Sequence, residues 1–334
     1  MSLPALMAIL LGVSLTFYAI FAGADFGGGI LDLFAGDRGS DRAAIAAAIG
    51  PVWEANHVWL IFSITILFSA FPPAFSALGT ALLAPLTVAL LAIVLRSVAL
   101  GLRPSVGPRS RAHVLLGRLF GAASLVAPFA FGAVAGGLAK ASSGPGPMAG
   151  SGLAIPWHSL FALVVAALAV ALCAQLASCV VTLKLAGLGE APLTERFRRR
   201  ALQSAACVLL SAVTGLVTAA ATAPSLWDRL SGAALPILIT GLATAVLSLL
   251  ALALRWYVVA RAATLATGAA ILWGWFVAQA PHLIGPRLTI HTAAATHAAL
   301  AAIAVSAGIV LLLVLPAMCL LFSIFARPVL EVAE

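Results

Sequence analysis

The stretch Gly50-Pro51-Val52-Trp53-Glu54-Ala55-Asn56-His57-Val58-Trp59-Leu60 decides how this chain must fold. It lies inside an apolar run from about residue 43 to residue 70, and about 20 apolar residues suffice to cross a bilayer as a helix. Within seven residues the stretch nevertheless carries a carboxylate, an imidazole, an amide and two indoles. An ionisable side chain in mid-membrane costs at least about 2.5–3.5 kcal/mol on insertion scales, so we take this stretch as a candidate functional site.

The composition indicates an integral membrane protein of the all-α class. Of the 334 residues, 63% are hydrophobic and 8% are charged, and the mean hydropathy is +1.16. Helices satisfy their own backbone hydrogen bonds in lipid, so apolar runs of this length are expected to be helical. The basic residues lie in short loops without interleaved aromatic residues, which indicates membrane orientation and not nucleic-acid binding.

We predict one membrane domain over residues 1–334, with nine helical spans. Most of the 18 lysines and arginines lie in alternate loops, which places the N-terminus outside and the C-terminus in the cytoplasm. The shortest connection separates the seventh run from the eighth. The predicted spans are roughly 5–34, 43–70, 75–101, 112–139, 155–187, 197–222, 231–254, 257–280 and 293–326.

Three ionisable groups are expected at a similar depth in neighbouring spans. Asp25, Glu54 and Arg96 lie about 9–16 Å from the inner ends of spans 1 to 3 at 1.5 Å per residue. One interpretation is a buried cluster that fixes helix packing. The other is a proton route that enters from the cytoplasm, with Asp32 at the cytoplasmic end of span 1 as a further member.

The residues around this cluster are expected to pack it. Glu54 and His57 share a helix face at i and i+3, but two ligands do not make a metal site, and we predict none. We assign packing or interface roles near the path to a set of aromatic, polar and small residues: Trp53, Asn56, His57, Trp59, Gly27 and Gly29.

These residues resemble subunit II of the cytochrome bd-type quinol oxidases. The resemblance rests on Gly23-x-Asp25-Phe26-Gly27-x-Gly29, on the stretch from Gly50 to Leu60, on Leu95-Arg96-Ser97-Val98-Ala99, and on Pro281-His282-Leu283-Ile284 with Leu288-Thr289-Ile290. It implies a non-haem subunit of a complex that oxidises quinol and reduces oxygen to water. Haems b and d are then expected in the partner, subunit I.

The resemblance also implies roles and surroundings for the chain. The family's inner acidic pair, linked to a proton path, falls on Asp25 and Glu54, and its span 3 arginine falls on Arg96. The chain departs from the family pattern at Ala22 and Gly101, where acidic residues are usual. The expected location is the inner membrane of a prokaryote, with lipid or quinone between helices and small single-helix accessory subunits as further partners.

A second hypothesis remains open from the residues alone. A stand-alone proton-coupled transporter could use Asp25, Glu54 and Arg96 as coupling groups. Many transporters have broken helices in both halves of the chain. Here the interrupted and charged segments concentrate in spans 1 to 3, which favours the oxidase subunit.

Overall fold

The computed structural model describes residues 2–35, 39–49, 53–107, 110–141, 148–149, 152–153, 155–285 and 287–326. These residues form twelve helices and two short hairpins, in agreement with the predicted all-α class. The helices are α1 Leu3–Leu33, α2 Gly39–Ile49, α3 Trp53–Ala70, α4 Pro72–Ala81, α5 Leu83–Leu102, α6 Arg111–Ala141, α7 Leu160–Gly187, α8 Ala191–Thr222, α9 Pro224–Ser231, α10 Leu235–Ala253, α11 Tyr257–Gln279 and α12 His297–Ala326. A 3₁₀ turn spans Arg103–Ser105, and the hairpins pair β1 Met148–Ala149 with β2 Gly152–Leu153, and β3 His282–Ile284 with β4 Leu288–Thr289.

Eight of the described helices are long and apolar enough to cross a membrane, namely α1, α5, α6, α7, α8, α10, α11 and α12. A ninth candidate is α3, which continues into α4 after a bend of 115°. The seventh and eighth predicted spans are confirmed as separate helices, α10 and α11, joined by three residues.

The second predicted span, 43–70, is wrong as a single helix. Its first part is α2, which ends at Ile49, and its second part is α3, which begins at Trp53. Gly50 and Pro51 stand between them in the sequence, and both residue types disfavour a continuous helix. Glu54 is therefore the second residue of α3 and does not occupy the middle of a long helix.

The third predicted span, 75–101, also divides. Pro72 begins α4, and Leu82, which closes α4, precedes α5. Proline is favoured in the first turn of a helix, where its missing N–H costs nothing. The apolar run thus supplies a short helix and a separate crossing helix.

Helix α1 is central to the bundle and packs against α3, α6 and α7. A methyl group added at Gly27 would overlap the backbone carbonyl of Cys173 in α7. In lipid, helices associate through close backbone contact of this kind. The predicted packing role of Gly27 is consistent with this contact.

The basic end of the bundle, where Arg103, Lys184 and Arg255 lie, is closed by α2. The Ile45 side chain of α2 packs with Leu31 of α1 and Phe197 of α8. At the opposite end, the segment after β4 is bonded to α3 through the amide of Ala295 and the carbonyl of Ala70, 2.9 Å apart. Each end of the bundle is therefore covered by short elements that hold the long helices together.

Candidate functional site

A buried ion pair joins α1 to α5. The Arg96 guanidinium donates from Nη1 to Asp25 Oδ2 at 2.6 Å and from Nη2 to Asp25 Oδ1 at 2.8 Å. Both side chains are almost fully buried, at 1% and 4% exposure. Two parallel bonds between a planar guanidinium and a carboxylate fix orientation as well as distance. The prediction that Asp25 and Arg96 lie at one depth is confirmed by this contact.

Helix α6 completes the surroundings of Arg96. The Nε atom of Arg96 donates to Ser124 Oγ at 3.0 Å, and that hydroxyl donates to the Phe120 carbonyl at 2.7 Å. The guanidinium carbon also lies 4.8 Å from the ring centroid of Phe26 and 5.2 Å from that of Phe120. Three helices thus converge on one buried cation.

Gly29 makes room for this arrangement. A methyl group at residue 29 would overlap the hydroxyl and Cβ of Ser124. Any larger side chain would displace the serine that holds Arg96. This close contact is consistent with the predicted packing role of Gly29.

A second ion cluster lies two helical turns along α1, toward the basic end. Asp32 is contacted by Arg103 Nη1 at 2.9 Å and by Arg42 Nε at 3.3 Å. The Nε atom of Arg103 also donates to His113 Nε2 at 3.4 Å. Asp32 is buried, whereas Arg42 is 36% exposed, so this cluster connects the interior with the protein surface.

The two ion clusters form a ladder with equal spacing on both sides. Asp25 and Asp32 are seven residues apart on α1, and Arg96 and Arg103 are seven residues apart at α5 and its 3₁₀ turn. From the first cluster to the second, the residue number increases on α1 and on α5 alike. The two helices therefore run in the same direction. The chain between them must return across the bundle, and α3 is the element that packs along α1 there. This direction supports α3 as a ninth crossing helix.

The remaining predicted site residues lie on α3. The side chains of Trp53, Glu54 and Asn56 lie outside the described residues. His57 is half-buried, and the Trp59 ring is buried and stacked on Phe17 with 4.4 Å between centroids. Trp59 therefore fills the contact between α1 and α3, as its predicted packing role requires.

Sequence reasoning missed a third ion cluster and a polar one. Asp41 of α2 is completely buried and is contacted by Arg196 at 3.1 Å and by Arg200 at 2.8 Å. Asp41 and Arg200 are 159 residues apart, and no local spacing links them. The long separation left no signal in the sequence pattern.

The polar cluster lies between α7, α10 and α11. The amide of Gln175 donates to Ser248 Oγ at 3.0 Å and to Thr264 Oγ1 at 3.2 Å. All three side chains are buried. A glutamine in an apolar helix could have been recognised as an interhelical hydrogen-bonding group.

The arrangement pairs each buried carboxylate of α1 with at least one guanidinium, which offsets part of the cost of burying charge. Ionisable groups follow one line from the basic end, through Arg42, Asp32 and Arg103, to Asp25 and Arg96. Within the described ranges, no three histidine, cysteine or acidic side chains group as a metal site would need. Fold and site together define a polytopic helical membrane protein with a line of paired charges that leads from its basic end into its interior.

Comparison with known proteins identifies the family. The family model for cytochrome bd terminal oxidase subunit II matches residues 3–325. The chain belongs to this family, and it is a multi-pass membrane protein. The family match gives the stand-alone transporter hypothesis no support.

Individual relatives agree with the family match. The chain is 34% identical over 105 residues to cytochrome bd ubiquinol oxidase subunit 2 of Bacillus subtilis (strain 168), which covers 31% of each chain. It is 31% identical over 98 residues to cytochrome bd-I ubiquinol oxidase subunit 2 of Escherichia coli (strain K12), covering 29% of this chain and 26% of the relative. These alignments therefore span less than a third of the curated relatives.

A solved structure extends the likeness of the fold over the whole chain. The bd oxidase from Geobacillus thermodenitrificans matches with a TM-score of 0.80, covering 97% of this chain and 99% of that chain. The sequence identity is 22%, so this match concerns the fold alone.

Proposed function

We propose that the chain is the non-haem subunit II of a quinol oxidase that couples quinol oxidation to the reduction of oxygen to water. The observation that carries the proposal is the family match over residues 3–325. The ubiquinol oxidase activity is inferred from the relatives, which are named as subunits of such oxidases. The haem-bearing partner is then subunit I. Haems b and d supply the electron-transfer and oxygen chemistry when bound in that partner.

The histidines of this chain fit a non-haem subunit. A haem inside a membrane needs axial ligands at the right depth on facing helices. All six histidines lie in the described ranges, and none of them is buried. We assign the haem ligands to the partner subunit because the resemblance to the family implies that subunit I carries the haems.

The inner carboxylates provide part of a proton path from the cytoplasm. Asp32, at the basic end, is the group nearest the surface, and Asp25 lies about 10 Å deeper at 1.5 Å per residue. Both oxygens of Asp25 are held by Arg96. A carboxylate held in this way is suited to act as a fixed charge that stabilises the proton path. Glu54, the other member of the family's inner acidic pair, is the proposed proton-exchanging group.

The first test is composition. The protein is purified from its native membrane in mild detergent, and a reduced-minus-oxidised spectrum and mass identification of co-purifying chains are recorded. A haem-rich partner with b- and d-type bands and quinol-dependent oxygen uptake is expected. A haem-free protein that purifies alone would refute the oxidase assignment.

The second test is Glu54→Gln, with Glu190→Gln as the matched control. Glu190 is an exposed residue that precedes α8. We expect Glu54→Gln to lower quinol-dependent oxygen uptake roughly tenfold or more, because a positioned proton-transfer group is lost. The haem bands should be unchanged, and Glu190→Gln should retain full activity. Normal turnover in Glu54→Gln would assign the carboxylates to packing alone.

A further inference from the structure

Two turns at the basic end have the same backbone geometry but different residues. After α7, the amide of Glu190 bonds to the Leu185 carbonyl and that of Gly189 to the Ala186 carbonyl. After α10, the amide of Trp256 bonds to the Ala251 carbonyl. This is the Schellman ending of a helix, which places one residue in the left-handed conformation.

Glycine occupies that position after α7, and arginine occupies it after α10. Gly189 has φ 75° and Arg255 has φ 62°. Arg255 is the one non-glycine residue with positive φ among the described residues. A β-carbon is disfavoured there, and strained positions of this kind concentrate at functional sites. Glycine would relieve the strain of this turn, so the guanidinium of Arg255 is a candidate for a role outside the turn.

Both turns line one cavity of about 400 Å³. Thr194, Glu195 and Tyr257 also line it. Glu195 is the acidic residue of this cavity, and its carboxylate is already bound by Arg198 at 2.8 Å and by Arg199 at 3.3 Å. Arg255 lies 3.7 Å from the same carboxylate and remains 68% exposed. Arg255 is the arginine that lines the cavity, and Arg198 and Arg199 lie beside it on the same carboxylate, so the cluster of three guanidinium groups and one carboxylate carries an excess positive charge next to the cavity.

The surface beside the cavity is apolar. Leu254, Trp256 and Val258 flank Arg255 and its neighbour Tyr257 in the sequence, and each of the three is more than half exposed. Tryptophan is enriched where a membrane meets water. A cavity lined by an arginine, whose sequence neighbours are exposed aliphatic and aromatic side chains, matches a molecule with an anionic head and apolar chains.

We propose that this cavity binds the phosphate headgroup of an anionic phospholipid, with Arg255 as its cationic contact and the neighbouring arginines of the Glu195 cluster as the source of the surrounding positive charge. Basic pockets between transmembrane helices at the cytoplasmic side bind anionic headgroups. The acyl chains would lie along the exposed apolar surface of α10 and α11. The site lies apart from Asp25 and Arg96 and does not depend on the proposed proton path.

The test uses the whole delipidated complex in detergent, titrated separately with phosphatidylglycerol, phosphatidylcholine and inorganic phosphate. Native mass spectrometry measures bound lipid, and thermal inactivation measures the stabilisation. We expect phosphatidylglycerol to bind and stabilise, and the other two probes to have little effect. Equal binding of phosphatidylcholine would overturn the proposal. Equal stabilisation by inorganic phosphate would also overturn it, because the cavity would then be a site for a soluble anion.

Variants separate the charge of Arg255 from its backbone conformation. Arg255→Gly relieves the left-handed strain and should fold at least as well, but it should bind phosphatidylglycerol about fivefold more weakly. Arg255→Gln keeps the strain and should lose the same affinity. Arg118→Gln, at an exposed arginine of α6, is the control and should bind as the unmodified chain does. Unchanged affinity in both Arg255 variants would refute the site.

Discussion

Removing one partner of the Asp25–Arg96 pair should be far more harmful than removing both. Asp25→Asn keeps the volume of the side chain but leaves Arg96, which is 1% exposed, without a counter-charge. An arginine cannot lose its proton in a protein, so the charge stays buried. The expected loss is about 3–5 kcal/mol of unfolding free energy. That is a large share of a typical total of about 5–15 kcal/mol.

The complementary variant is Arg96→Met, which leaves Asp25 without the guanidinium. It should also be destabilised, because a buried carboxylate is then left without its counter-charge.

The assay is thermal or denaturant-induced unfolding in detergent for the two single variants and the double variant Asp25→Asn with Arg96→Met. The double variant buries no charge, so it should recover at least about half of the loss of either single variant. Additive losses in the double variant, or a loss below about 1 kcal/mol in Asp25→Asn, would refute the reasoning.

Two further predictions concern the rest of α1. Gly27→Ala should lower the unfolding free energy by about 1–3 kcal/mol or more, since its methyl group would overlap the Cys173 carbonyl. Gly101→Ala, with no atom within 4 Å of the added methyl group, should raise it by about 0.5–1 kcal/mol in the same assay. Equal effects of the two substitutions would contradict the close contact of α1 with α7. Asp32→Asn should cost less than Asp25→Asn, about 1–3 kcal/mol, because Asp32 is buried but its arginine partners are 16% and 36% exposed and stay in contact with water, and the loss should be smaller at high salt. Thermal inactivation at low and high salt measures this, and a large salt-independent loss would show that Asp32 belongs to the dry interior.

The sequence predicted the ion pair because depth can be counted along a helix. Asp25 and Arg96 lie at similar distances from the same membrane side, and an unpaired charge in lipid is costly. Their contact follows once the two helices share a neighbour. The partner on α6, Ser124, could not be predicted, since a serine in an apolar run has many possible orientations.

The sequence failed where hydropathy was the guide to helix ends. Residues 43–70 are mostly apolar despite Glu54, Asn56 and His57, so a hydropathy pattern does not distinguish one long helix from two. Gly50 and Pro51 were the available signal, because both disfavour helical continuation. The Asp41 cluster was missed for a different reason: its partners come from α8, and only tertiary packing brings them to α2.

The separation of Asp25 from Arg96 along the chain also sets an order of events during synthesis. The two residues are 71 positions apart, so at about 5–20 residues per second the ribosome makes the arginine roughly 4–14 s after the aspartate. During that interval α1 carries its carboxylate into the membrane without the guanidinium that later neutralises it. A nascent chain stopped before α5 therefore holds an acidic first helix that the bilayer disfavours. The finished pair consequently marks a chain whose first five helices have been inserted.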